Sequence, residues 1–205
     1  MCEQLVPATG YYLASKDTEI SRLWELRKKG AGLLGNQAGR RKPITFIEDT
    51  TVTPPCLASY IQELQALLTT YHLDYAMYVH MDVGCLHLPP ALDMKVLEDE
   101  ALIRDLSDKV VALVRKYGGL IWGEHGKGFR SEYTPMFFGE ELYQDLRRIK
   151  AAFDPKNKLN PGKIVTPFNS QTEVLPLESP LRGQALLNQG MISLNFQRFL
   201  SGCKP

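Results

Sequence analysis

The chain has no CxxC pair. Its four cysteines, Cys2, Cys56, Cys85 and Cys203, stand far apart, so neither a disulfide framework nor a cysteine-built zinc or iron–sulfur site can be read from them. A reducing cytoplasm suits that usage best. No apolar run approaches the roughly 20 residues that span a bilayer, and the N-terminus lacks the basic-then-apolar order of a signal peptide. Charge of one sign is not in surplus either: 24 Lys and Arg face 23 Asp and Glu, for a formal net charge of +1. With the basic residues scattered rather than striped, there is no field to attract nucleic acid or an anionic membrane. GxGxxG and a Gly-rich phosphate loop opening a helix are both missing, so no nucleotide site is visible. What is present is ordinary globular composition, 205 residues with 44% hydrophobic and 23% charged, which suggests one domain and a tail.

Periodicity orders the elements as β-α-β-α-β-β-α-β-α. Residues 10–15 read as a short strand. Asp17 or Thr18 caps a helix running to Gly30, whose apolar face is Ile20, Leu23, Trp24 and Leu26; Arg27 borders that face. Residues 44–52 alternate and are β-branched, hence a strand. Thr53-Pro54 opens a helix to about Tyr71 on Leu57, Tyr60, Ile61, Leu64 and Leu67-Leu68. Residues 75–80 and 85–88 form a hairpin turning near Val83-Gly84, although valine suits a positive-φ turn position poorly. In that register His80 and His87 lie directly opposite each other on one face, about 5 Å apart at Cβ. A long helix spans about 98–117 and ends at Gly118-Gly119; Leu120-Ile121-Trp122 is a strand. Thr134-Pro135 opens a last helix with Leu142, Leu146, Ile149 and Phe153 as its apolar face, stopped at Asp154-Pro155. NKLNPGK, 157–163, makes a pair of tight turns. Residues 169–205 read as a linker or partly disordered tail. The fold class is α+β, with helices covering one side of a largely antiparallel sheet.

The segment LIWGEHGKGFRSEY, 120–133, is a poor packing element. Glycines flank an adjacent Glu124 and His125 and leave room for a ligand, and on extended backbone the two side chains point to opposite sides. An ordinary surface loop gives the same pattern. With His80 and His87, however, Glu124 completes two imidazoles and one carboxylate with an open position, a set that suits zinc or a divalent ion of similar chemistry. Chance clustering of histidines remains the alternative on spacing alone.

HMDVGCLH, WGEHGKGFRSEY, IKAAFDPKNKLNPGKI and LRKKGAGLLGN resemble, in order and spacing, the C-terminal part of FAD-linked oxidases of the D-lactate, glycolate and D-2-hydroxyglutarate dehydrogenase group. The look is nearest to large bacterial members fused to an iron–sulfur domain. The resemblance covers about residues 10–168 and specifies the superfamily better than the substrate. It implies a ferredoxin-like cap domain at 1–168, cut at its N-terminal side, with FAD bound mainly by a domain absent from this chain and any iron–sulfur cluster held by a following one. It further implies that His80, His87 and Glu124 are metal ligands, His125 the catalytic base, Arg27 and Lys42 the partners of substrate carboxylates, and Asn160 a residue approaching the flavin. The implied reaction is oxidation of a D-2-hydroxy acid to the 2-oxo acid, and two cations besides the metal suit a dicarboxylate such as 2-hydroxyglutarate better than lactate.

One departure is that Asp82-Val83-Gly84-Cys85 stands where the family commonly has Gly-Asp-Gly-Asn, which removes one contact to a substrate carboxylate. The chain alone is expected to be colourless and inactive. Its partners would be a small 2-hydroxy acid and the missing FAD-binding domain, in the cytoplasm or peripheral to the inner membrane through an electron acceptor. Two rivals are a non-catalytic α+β module that binds a metal or a partner protein, and a zinc hydrolase that uses the same residues without flavin.

Overall fold

A computed structural model describes residue 10 and residues 12–32, 38–126 and 130–177. The chain divides into two units, Met1–Gln37 and Ala38–Pro205. The first holds helix α1 (Asp17–Gly32), with Asp17 and Glu19 in its first turn and Lys29 in its last, each complementing the helix dipole. Residues 12–15 are coil rather than the expected strand, because among the described residues of that unit no second strand offers them backbone partners. Leu23, Trp24 and Leu26 are exposed, so among the described residues of that unit the apolar face of α1 builds no core.

The second unit runs β1 (Lys42–Pro43), β2 (Thr50–Thr51), α2 (Leu57–Thr70), β3 (Tyr78–His80), β4 (Cys85–His87), β5 (Ala91–Leu92), α3 (Leu97–Lys116) and α4 (Thr134–Phe153). Short 3-10 turns at Pro54–Cys56 and Ser131–Tyr133 precede α2 and α4. The sheet order is β2-β4-β3, all antiparallel, and β1 pairs with β5 in a separate ribbon. Thr51 and Leu120 exchange two backbone bonds of 2.8 Å, and the Gly123 N–H donates to the Asp49 carbonyl at 2.8 Å. Residues 120–123 therefore run along the outer edge of β2 and deliver Glu124 and His125 to one end of the sheet. The α+β class with an antiparallel sheet is what the patterning indicates.

The core lies between the sheet and two helices. Leu57, Tyr60, Leu64 and Leu68 of α2 and Ile103, Leu106, Val110 and Val114 of α3 close over Leu86, Leu88 and Val52. Each such side chain contributes about 1.5–3 kcal/mol by leaving water. The Tyr60 hydroxyl donates to Thr50 Oγ1 at 2.8 Å and ties α2 to β2; burial pushes its pKa far above the usual phenol range. Thr53 takes the cap position before Pro54 as expected, but its hydroxyl makes no capping bond.

Three expectations change. The strand read over 44–52 survives only at β2, because the chain bends at 46–49 and Asp49 takes φ +67. The apolar face of α4 is not core: Leu142, Ile149 and Phe153 are 46%, 57% and 85% exposed, and Gly139 (φ +75, ψ +165) kinks the helix. Past the boundary expected at residue 168 the chain still packs, since Leu177 is buried in the core and its N–H donates to Glu132 at 2.9 Å. Residues 178–205 lie outside the described residues. Among the described residues no helix is long and apolar enough to cross a membrane.

Candidate metal and acid–base site

The bend at Glu48-Asp49 starts the site. Asp tolerates left-handed backbone better than most residues because its short polar side chain bonds locally. Here the Asp49 carboxylate accepts the backbone N–H groups of Glu124 at 2.9 Å and His125 at 3.0 Å. Gly123 permits that approach. A Cβ on it would lie 2.3 Å from Thr51 Oγ1, 2.6 Å from Cys85 Sγ and 3.0 Å from Asp49 Oδ1. This glycine thus lets the main chain pack against the side chains of Thr51, Cys85 and Asp49.

The β3–β4 hairpin brings the two histidines. Its register pairs His80 with Cys85 and Tyr78 with His87, so His80 and His87 are diagonal neighbours and not directly opposite. The turn takes four residues, 81–84, and positive φ falls on Gly84 (φ +70), which frees Val83 from the position it would fill badly. Because the slip is by two residues, the face is preserved. The His80 and His87 rings meet edge to face with centroids 5.3 Å apart.

Glu124 Oε1 lies 2.9 Å from His87 Nε2, 3.2 Å from His125 Nε2 and 3.4 Å from His80 Nε2. On the buried side, Glu48 Oε2 is 3.0 Å from His87 Nδ1 and Glu48 Oε1 is 3.3 Å from His125 Nδ1. His87 and His125 each stand between two carboxylates. A neutral imidazole has one N–H, so one nitrogen of each ring then confronts a carboxylate lone pair unless a proton or a cation intervenes. Among the described residues, Glu48, Asp49 and Glu124 gather here with the buried Arg130. The donor atoms of His80, His87 and Glu124 lie within 4.8 Å of one another, and this nitrogen and oxygen set fits a divalent ion. Among the described residues, Glu48, His87 and His125 and likewise Asp49, Cys85 and His87 also bring three donor atoms within that distance.

The electrostatics follow the burial. Burial pulls the His125 pKa down, but the hydrogen bond to Glu48 and the charges of Glu48, Asp49 and Glu124 outweigh it and raise the value. Burial raises the Cys85 thiol, and Asp49 and Glu124 push the same way, so Cys85 is a neutral thiol 3.6 Å from Asp49 Oδ1 and 3.8 Å from His87 Nε2. Burial lowers the pKa of Arg130 while Glu48 and Asp49 oppose that, and its guanidinium donates to the Glu48 carbonyl. The Glu124 and His125 side chains are 47% and 54% exposed, so they form the open side of the site.

Of the residues singled out from the sequence, His80, His87, Glu124 and His125 converge. Glu124 and His125, expected to point apart, meet because residues 123–125 bend instead of extending. Lys42 stands on β1 opposite Leu92, in the ribbon and not on the sheet that carries the histidines. Arg27 lies on α1 in the other unit, its guanidinium 5.6 Å from the Trp24 ring centroid. Asn160 (φ +46) sits in a turn after α4 and lines a groove of about 580 Å³ with Ile149, Phe153, Leu159 and Ile164. Glu48 and Asp49 were not singled out, and Cys85 was read only as a departure from the family pattern. The available signal was two adjacent acids inside the apolar, β-branched run Ile44 to Val52.

Residues 1–164 match the family model described as "FAD linked oxidases, C-terminal domain". The chain is 53% identical over 183 residues to D-2-hydroxyglutarate dehydrogenase of Pantoea ananatis, a match that covers 89% of this chain and 18% of that protein. To D-2-hydroxyglutarate dehydrogenase of Escherichia coli K12 it is 52% identical over 174 residues, 85% of this chain and 17% of the relative. It is 32% identical over 165 residues to D-lactate dehydrogenase of Archaeoglobus fulgidus, covering 79% and 34%. The chain thus spans under a fifth of the length of the two more similar dehydrogenases.

Proposed function

The chain belongs to the family of FAD linked oxidases, C-terminal domain, and on that premise we propose that it is the substrate-side part of a dehydrogenase that oxidises a D-2-hydroxy acid, of the D-2-hydroxyglutarate or D-lactate type, to the 2-oxo acid. The names of the relatives support that substrate class. The observation that carries the reading is the gathering of three imidazole Nε2 atoms within 2.9–3.4 Å of one Glu124 oxygen on an accessible side of the sheet.

His80, His87 and Glu124 would hold a divalent ion, zinc by the chemistry of the donors, whose charge makes a nearby hydroxyl more acidic. FAD, which another part of the parent protein would mainly hold, would supply the acceptor for the hydride leaving Cα. His125 stands outside the ligand set and presents Nε2 on the open side. It takes the substrate hydroxyl proton as general base. Lys42 would pair with a substrate carboxylate, and Asn160 would serve the flavin. Any iron–sulfur cluster of the parent would be held outside this chain, whose cysteines are dispersed, and the assembled enzyme would work in the cytoplasm or at the inner membrane through its electron acceptor.

The test is anaerobic addition of D-2-hydroxyglutarate or D-lactate to the full-length protein that carries this domain. Bleaching of its flavin absorbance by at least one of them is expected. No bleaching by either overturns the reading.

A further inference from the structure

We propose that Glu48 is a positioning residue that couples the metal site to the base: its two carboxylate oxygens hold His87 and His125 as Nδ1–H tautomers, so that both Nε2 lone pairs face the Glu124 side. The inference rests on the reading of His80, His87 and Glu124 as metal ligands and extends it inward. Each ring has its own oxygen, with Glu48 Oε2 3.0 Å from His87 Nδ1 and Oε1 3.3 Å from His125 Nδ1. The rings stack with centroids 4.8 Å apart and planes 20° from parallel, so their Nδ1 edges present themselves together to one carboxylate. In an imidazole, the partner at one nitrogen decides which nitrogen is left as a lone pair for a metal or a proton. One glutamate thereby sets both.

The surroundings hold Glu48 in place. The residue is 8% exposed, and the backbone carbonyl accepts from the Arg130 guanidinium, itself 7% exposed. A buried carboxyl group needs hydrogen-bonded partners; the two ring N–H groups supply them to its oxygens, while Arg130 holds the main chain of the same residue. The next residue, Asp49, grips the same unit by its main chain, through the N–H groups of Glu124 and His125. Adjacent acids on one bend therefore control ring orientation and loop position separately.

The chemistry predicts a specific outcome for Glu48→Gln. A carboxylate has an acceptor for each ring, whereas an amide has one carbonyl oxygen and an NH2 that can only donate. The glutamine can satisfy one Nδ1–H and must repel the other. Its near-identical size keeps the fold testable where Glu48→Ala could leave an unfilled cavity.

The experiment uses the 205-residue chain with histidine side chains labelled with nitrogen-15. Long-range proton–nitrogen correlations on zinc-loaded samples report each tautomer, and competition with a chelator reports zinc affinity. Wild type is expected to show Nδ1–H at both His87 and His125. Glu48→Gln should lose Nδ1–H at one of them and bind zinc about 10- to 100-fold more weakly, the usual cost of removing a partner that orients a ligand. Unchanged circular dichroism should accompany this, and the tautomer of His125, which is not a ligand, is a readout that loosened packing alone does not convert. Glu48→Gln with wild-type zinc affinity and both rings still Nδ1–H overturns the proposal while leaving the metal site intact. If wild type binds zinc no more tightly than His80→Ala, the metal reading itself fails and this inference falls with it.

Discussion

Asp49 holds Glu124 by its backbone, the carboxylate accepting the Glu124 N–H at 2.9 Å across 75 residues of sequence, and the same carboxylate takes the next N–H, that of His125, at 3.0 Å. The side chain of Asp49 thereby does for this loop what a strand partner does elsewhere. Asp49→Asn leaves one acceptor for two N–H donors, and a buried unsatisfied donor costs about 1–3 kcal/mol. Urea unfolding of the variant is expected to show a lower midpoint at unchanged slope, together with weaker zinc binding because Glu124 is no longer fixed. A midpoint equal to wild type would remove this role for Asp49.

Gly84 decides the hairpin that carries both histidine ligands. It has φ +70, and a Cβ on it would lie 1.9 Å from the Val52 carbonyl oxygen. Gly84→Ala incurs about 1–2 kcal/mol for the left-handed backbone alone, and the clash with main chain of the neighbouring strand adds to it. We expect a loss above about 2 kcal/mol by urea titration, with zinc affinity falling in parallel since His80 enters the turn and His87 lies on the strand that leaves it. Full zinc affinity in a destabilised Gly84→Ala protein would show that the histidines do not depend on this turn.

Asp154 makes stability depend on acid. The Lys150 ammonium at 2.7 Å and the backbone N–H groups of Lys158 and Leu159 at 2.8 Å hold its pKa down to about 2, against an ordinary value of 3.8, with burial opposing. A carboxyl whose folded pKa is depressed binds its proton more readily when unfolded. Its stabilisation is therefore complete above the unfolded value and is lost as pH falls through the folded one. Thermal melting of wild type and Asp154→Asn should differ above pH 4 and converge toward pH 2. Parallel curves across that window would contradict the assignment.

The helices were the most legible part of the chain. Apolar spacing with Pro54, Gly118 and Pro135 as punctuation locates α2, α3 and α4, because burial of a stripe at 3.6-residue period leaves a mark in sequence. The shared face of His80 and His87 was also legible. Their exact pairing was not, because a four-residue turn and a two-residue turn leave the same alternation behind. Glu48 and Asp49 were hidden for a different reason. They sit in a run whose β-branched neighbours read as strand, and only the tertiary approach of Gly123 and His87 turns two strand acids into the buried floor of a site. The exposed Leu142, Ile149 and Phe153 show the converse limit: periodicity marks an apolar face without saying what covers it.

The most direct test of the account separates ligand from base in the full-length protein, by measuring bound metal and kcat for the same preparations of His125→Asn and Glu124→Gln. His125→Asn is expected to keep its metal and folding while kcat falls by about 10²- to 10⁴-fold, the range for removal of a general base. Glu124→Gln should lose metal first and regain part of its activity when metal is added in excess. A His125→Asn protein with near-normal kcat and only a raised KM would contradict the account, since His125 would then bind substrate and the proton would have to leave by another route.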